Sequence, residues 1–296
     1  MDQTQEIMQH VRRIEMQARR LSTATFVGQY RSGFRGQGLD FDDFREYTPG
    51  DEPRIIDWKV TARTGTPYVR KFREEREQVL LLAVDASGSM HYAGANSPDT
   101  KLEYAARIAA VLAYSAALNG DKVGLLLFGG RPHFYLPPVK GVQQCLRIVR
   151  EILSAPRGGE DIPVSAVVDE VLRTQRKRTL LFLISDYLFA PDKQAIGKLN
   201  FRHELIPVRV NDPTELRLPQ AGRIYAQDPE TGAQLRVNLA DPALRNAHAQ
   251  ALQGHFNEWN SLLTHQGIDG IQLLTNQDFM PSLRRLFQRR SRFIIR

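Results

Sequence analysis

The sequence predicts a doubly wound α/β protein with a mostly parallel sheet, preceded by an N-terminal helix and a small β-rich extension. Three observations predict it. The runs VLLLAVD (79–85) and RTLLFLISD (178–186) are apolar almost throughout and end in Asp, the pattern of strands covered on both faces. LEYAARIAAVLAYSAAL (102–118), after the first run, is a long Ala/Leu-rich helix. From residue 79 onward strand and helix patterns alternate, which places successive strands side by side through helical crossovers.

In chain order, Ile7, Val11, Ile14, Ala18 and Leu21 follow the four-three spacing of one helical face, while Arg12, Arg13, Arg19 and Arg20 fall elsewhere. Residues 28–78 are rich in Gly, Arg and Asp. Thr48-Pro49-Gly50-Asp51 suits a type II turn, and RIIDWKVTARTGTPYVRKF reads as two short strands around a Gly-containing turn. Residues 121–139 read as a hairpin around Gly129-Gly130, 142–153 and 164–175 as helices, and HELIPVRV (203–210) as a third buried strand. RIYAQDPETGAQLRVNL (223–239) is a hairpin about a Glu-Thr-Gly turn, followed by a helix at 242–265 and a strand at 270–275. The expected division is 1–78 for the helix and β-rich extension, 79–278 for the α/β domain, and 279–296 for a basic C-terminal helix or tail.

Composition sets the outer limits. With 296 residues, 42% hydrophobic and 25% charged, the chain is globular rather than disordered, collagenous or coiled-coil. Its single cysteine, Cys145, cannot close an internal disulfide and falls on an apolar helical face, so it reads as core. The N-terminus lacks an unbroken apolar leader, and the longest apolar runs are too short to span a bilayer. A cytoplasmic protein is expected. The net charge of +7 is concentrated: the last 18 residues carry Arg284, Arg285, Arg289, Arg290, Arg292 and Arg296 with no acid, while residues 79–278 balance.

In open α/β sheets, ligands bind beyond the carboxyl ends of the strands, where the strand order reverses. The first core strand ends there in Asp85-Ala86-Ser87-Gly88-Ser89, a D-x-S-x-S pattern, and the strand at 178–186 ends in Ser185-Asp186. In the common strand order these two strands are neighbours, which brings Asp186 beside Asp85. Two carboxylates and two hydroxyls suit Mg²⁺, which takes hard oxygen donors and retains water. Taken singly, either Asp reads as a cap or turn residue and Ser-Gly-Ser as turn chemistry. Taken together, each closing an apolar strand, they point to a metal.

D-x-S-x-S after a buried strand resembles the metal-ion-dependent adhesion site (MIDAS) of von Willebrand factor type A domains. The upstream block is similar to the prokaryotic domain-of-unknown-function family fifty-eight: Arg45, Tyr47, Gly50, Asp51, Arg54, Ile56, Asp57 and Trp58, then Ala62-Arg63. The Asp-Pro-Glu-Thr-Gly turn at 228–232 also resembles that family, and the likeness covers roughly residues 20–275. It implies a von Willebrand factor A-like, Rossmann-like fold and a MIDAS-like site for Mg²⁺, Mn²⁺ or Ca²⁺ at Asp85, Ser87, Ser89 and Asp186. It also implies a non-enzymatic adaptor or co-chaperone role beside a MoxR-type AAA+ ATPase or its client. The family pattern has a Thr where this chain has Glu160, in Gly158-Gly159-Glu160-Asp161. Glu160 either adds a third carboxylate to the ion, or points to solvent or caps the following helix. Arg45, Tyr47, Gly50, Asp51, Arg54, Asp57 and Trp58 read as a structural network that fixes the N-terminal hairpin on the sheet, with Trp58 supplying apolar area; a partner surface is the other reading.

Other classes find less support. Ser87 lacks a G-x-S-x-G elbow, no histidine is placed to serve it, and no G-x-x-x-x-G-K-[ST] loop is present, so neither a serine hydrolase nor a nucleotidase is expected. His91 reads as a loop residue. A metal-dependent phosphatase is the enzymatic alternative. Nucleic-acid or anionic-surface binding through SLRRLFQRRSRFIIR is the third class, against a docked helix with a solvated basic face.

Overall fold

The computed structural model describes residues 3–34, 39–51, 54, 56–74, 78–129, 134–156 and 163–294, without the side chains of 3, 4, 6, 39–43, 70–74 and 292–294. The chain forms two compact units, Arg35–Gln78, and Met1–Phe34 together with Val79–Arg296. The N-terminal helix, expected to form one region with the β-rich extension, therefore shares the larger unit with the sheet, as does the basic C-terminal helix.

The larger unit opens with α1 (Gln3–Leu21), which buries Val11, Ile14 and Ala18 from the expected face. A second helix not anticipated from the sequence follows, α2 (Ala24–Gly33), capped by Thr23 Oγ1, which accepts from Phe26 N at 3.3 Å.

The smaller unit pairs β1 (Leu39–Glu46) antiparallel with β2 (Tyr68–Glu74). Between them lies α3 (Trp58–Thr64), where the first of two short strands was expected. Asp57 decides the difference: its Oδ1 accepts from Lys59 N (2.9 Å) and Val60 N (3.2 Å), starting a helix. Gly65 ends it at φ 77°. Trp58, expected to supply buried apolar area, is 69% exposed.

The larger unit continues with β3 (Val79–Asp85), α4 (Lys101–Leu118), β4 (Lys122–Phe128), β5 (Phe134–Val139), α5 (Val142–Leu153) and α6 (Val164–Thr174). Next come β6 (Leu180–Ser185), α7 (Lys193–Arg202), β7 (Glu204–Asn211), the single turn α8 (Pro213–Leu216) and the hairpin β8 (Arg223–Gln227) with β9 (Gln234–Asn238). The chain closes with α9 (Pro242–His265), β10 (Ile271–Leu274) and α10 (Met280–Ile294).

Six strands form one sheet in the order β10-β7-β6-β3-β4-β5, parallel except for the β4–β5 edge. The doubly wound, mostly parallel α/β class is thus as expected. Alternation along β3 explains its unbroken apolar run: Leu80, Leu82 and Val84 enter one core with α1, α4, α5 and α10, while Leu81 and Ala83 enter a second with α6, α7 and α9. Full burial of each such Leu or Val contributes about 1.5–3 kcal/mol.

The basic C-terminal helix is docked. Leu283, Leu286 and Phe287 of α10 are fully buried, and the Phe287 ring lies 5.2, 5.8 and 5.1 Å from those of Phe26, Tyr30 and Phe34. Arg289 pairs with Asp269 at 3.0 Å and Arg290 with Glu204. Arg284 and Arg285 are exposed. The Arg292 side chain and Arg296 lie outside the described residues.

Candidate functional site

The parallel pairing of β3 with β6 places the two strand-terminal acids at one edge of the sheet. Around them the loop after β3 turns sharply. Asp85 Oδ1 accepts from Ser87 N (2.9 Å) and its Oδ2 from Ser185 Oγ (2.7 Å). Ser89 Oγ donates to Asp186 Oδ2 at 2.7 Å, and Ser87 and Ser89 share a hydroxyl hydrogen bond at 3.2 Å. Asp85, Ser87, Ser89 and Asp186 therefore form one hydrogen-bonded cluster, with all but Ser89 buried. Glu160 lies outside the described residues.

Two backbone features hold this geometry. Gly129, at the end of β4, has φ 93°, and a Cβ there would stand 2.4 Å from Asp85 Oδ1 and 2.6 Å from Ser87 N. Only glycine lets the β3 loop fold down against β4. Tyr187, directly after Asp186, adopts φ 59°, a conformation that costs a non-glycine residue free energy. Its surroundings hold it there. The phenol donates to Leu183 O (3.0 Å), the ring stands edge-on to Trp259 at 5.0 Å, and Tyr187 N donates to Ser185 Oγ (3.0 Å).

The tertiary structure adds residues that sequence reasoning missed. Lys101, the first residue of α4, is fully buried and its Nζ donates to Asp186 Oδ2 (2.8 Å) and Glu215 Oε1 (2.6 Å). Burial disfavours its ammonium, but Asp186 and Glu215 outweigh burial and raise its pKa. A lysine at the start of an Ala/Leu-rich helix was the available signal. Glu215 also closes a capping box with Asp212. Asp212 in turn accepts from Ser97 Oγ, from Thr275 Oγ1 (2.8 Å) and from Gly94 N (3.1 Å). Lastly, Glu230 at the tip of the β8–β9 hairpin accepts from Gly88 N (3.0 Å) and Ser89 N (2.9 Å).

All four clustered side chains offer hard oxygens. Burial, and then the neighbouring Asp186, push Asp85 up to about 7, so the protein around the pair leaves its negative charge under-compensated. Lys101 supplies one positive charge against Asp85, Asp186 and Glu215. Mg²⁺ fits such a set. Among the described residues no group of three or more His, Cys, Asp or Glu is placed to hold a metal, so the hydroxyls of Ser87 and Ser89 would be needed as ligands.

Other sequence candidates fall outside the cluster. In the smaller unit, Arg45 grips Asp51 through two bonds of 2.7 and 2.6 Å and holds that carboxyl well below its usual range. Tyr47 N donates to Pro67 O at 2.8 Å, Asp51 N donates to Thr48 O (3.0 Å) across Gly50, and Arg54 is exposed. His91 ends a short 3₁₀ turn, Gly88–His91. Cys145 is buried in α5, and burial pushes its thiol up to about 12.

A doubly wound α/β sheet with D-x-S-x-S closing a central strand and Asp closing its neighbour is the arrangement that the resemblance to von Willebrand factor A domains implies. The chain belongs to the family described as "Protein of unknown function DUF58", whose model matches residues 43–258. It is 28% identical over 285 residues to an uncharacterised protein of Mycobacterium tuberculosis, covering 95% of this chain and 89% of that one. A shorter uncharacterised protein of Mycobacterium avium is 28% identical over 148 residues, covering 49% of this chain and 87% of its own length. Among solved structures, the conserved hypothetical protein BatB from Bacteroides thetaiotaomicron is similar, with TM-score 0.47, 15% identity and coverage of 73% and 99% of the two chains. The SpRpn10 VWA domain matches with TM-score 0.38, 11% identity and coverage of 70% and 93%. No described helix is long and apolar enough to cross a membrane.

Proposed function

We propose that this chain is a non-enzymatic protein-interaction module whose partner contact depends on a divalent cation at Asp85, Ser87, Ser89 and Asp186. The supporting observation is the hydrogen-bonded convergence of these four side chains at the carboxyl ends of β3 and β6. When bound, Mg²⁺ supplies a positive centre that attracts a partner carboxylate. Ser185 orients Asp85, Lys101 orients Asp186, and Gly129 gives the loop room. The partner we infer, from the family resemblance, is a MoxR-type AAA+ ATPase or a client it remodels.

Nothing in the cluster favours turnover over binding. The Ser89 hydroxyl is held by Asp186 and the Ser87 hydroxyl bonds to that of Ser89, and among the described residues no histidine hydrogen-bonds to Ser87 or Ser89. The test is retention of a purified MoxR-type ATPase on the immobilised chain with and without Mg²⁺. Asp85→Ala should abolish retention and the Mg²⁺ titration heat while the circular dichroism spectrum stays unchanged. Retention that survives both Asp85→Ala and chelation would sink the metal-dependent reading. The same calorimetry on Glu160→Thr decides whether Glu160 joins the ion; identical titrations remove it.

A further inference from the structure

Among the described residues the β8–β9 hairpin pairs only with itself and joins no strand of the main sheet. Its outer face carries Tyr225, exposed and paired with Arg236. Its other face borders an apolar groove of about 730 Å³, lined by Ile224, Ala226 and Val237 against Leu244, Ala247 and Ala251 of α9. An arm separated from its support by such a space gains little from close packing.

The tip is different, because it is rigid and aimed. Asp228 Oδ1 accepts from Glu230 N (2.9 Å), Asp228 Oδ2 accepts from Thr231 Oγ1 (2.8 Å), and Gly232 N donates to Asp228 O (2.8 Å). That turn presents Glu230, whose two oxygens accept separately from Gly88 N (3.0 Å) and Ser89 N (2.9 Å), 142 and 141 residues away in the chain. The approach is so close that a Cβ on Gly88 would lie 2.3 Å from Pro229 O. Gly88 is therefore the residue that admits the hairpin tip. Carboxylate bonds to backbone amides are charge-assisted and about twice as strong as neutral ones.

From this geometry we propose that the hairpin is an intramolecular latch. Glu230 closes the Asp85–Ser89 loop by holding the amides of Gly88 and Ser89, and a partner reaches the loop only after its own acidic side chain displaces Glu230. The second half of that statement rests on the interaction function proposed above; the first does not. Glu230 belongs to the chain yet occupies the backbone donors beside the cation ligands, where an acidic partner segment would dock.

Amide hydrogen exchange on the full-length chain tests the latch. Glu230→Ala should speed exchange at Gly88 and Ser89 at least tenfold and accelerate tryptic cleavage at Arg236, with protection of β3 and β6 unchanged. Glu230→Gln, with one accepting oxygen and no charge, should fall between. Unchanged exchange at Gly88 and Ser89 in Glu230→Ala overturns the latch. If Glu230→Ala also loosens β3 and β6, Glu230→Gln is read by the same criterion. Retention of the purified ATPase should rise at least threefold in Glu230→Ala; equal or weaker retention overturns the gating role. A wild-type chain that retains no ATPase, with the exchange difference intact, sinks the partner reading and leaves the latch standing.

Discussion

Ser89 Oγ reaches across from the loop after β3 to Asp186 Oδ2 at 2.7 Å, tying the ends of two adjacent parallel strands. The bond joins the D-x-S-x-S loop to the second acid, and it exists only because β3 and β6 are neighbours. Replacing Asp186 by Asn keeps an acceptor for Ser89 but removes a charge beside Asp85. Mg²⁺ affinity should fall at least tenfold by calorimetry, and the thermal midpoint should fall as well, because buried Lys101 keeps only Glu215 as a charged partner.

Lys101 is the buried counter-charge of the same cluster. Lys101→Met leaves Asp186 and Glu215 without their ammonium, and breaking a buried pair this way costs about 3–5 kcal/mol. Urea denaturation should show that loss, with partial recovery when Asp186→Asn is added, because the two sites share one interaction.

Asp85 sets a pH dependence. Its folded pKa of about 7 lies above the ordinary 3.8, so between these values the folded state holds a proton that the unfolded state has released. Stability from this group is therefore complete below about pH 4 and is lost as pH rises to about 7. Denaturation in chelator should show that decline, Asp85→Asn should flatten it, and Mg²⁺ at pH 8 should stabilise the wild type more than Asp85→Asn.

Gly129→Ala puts a methyl group 2.4 Å from Asp85 Oδ1 at a positive φ. Destabilisation of about 2 kcal/mol or more is expected, together with lost Mg²⁺ binding, since the loop cannot close. Full Mg²⁺ affinity in this variant would show that the loop geometry is not needed for the ion.

Phe287 anchors the C-terminal helix among Phe26, Tyr30 and Phe34. Phe287→Ala should cost about 3–5 kcal/mol. Arg284→Ala with Arg285→Ala, both exposed, should leave stability within about 0.5 kcal/mol. Chromatography on heparin then separates the two readings of the basic residues: weak, unchanged retention marks a solvated helix face.

Much of the fold was legible locally. The sheet strands 79–85 and 178–186 announced themselves because a strand covered on both faces must be apolar along its length, and the acid that ends each run is in the same segment. Local chemistry misled at residues 54–72, where β-branched residues suggested two strands and the Asp57 cap made a helix of the first. Helix α2 was missed because its apolar positions, Phe26 and Tyr30, are few and become decisive only against Phe287.

By itself, then, the sequence determined the α/β class, the strands that carry Asp85 and Asp186, and the hydroxyls between them. Each of these follows from patterns within a few residues. Tertiary structure alone decided which groups surround those acids. Lys101 meets Asp186 across 85 positions and Glu230 meets Gly88 across 142. A charge whose partner lies far along the chain meets it only where chain crossings bring the two together. Whether a lysine is solvated surface or a buried counter-ion, and whether a hairpin glutamate is free or a latch, depends on contacts that no local pattern encodes.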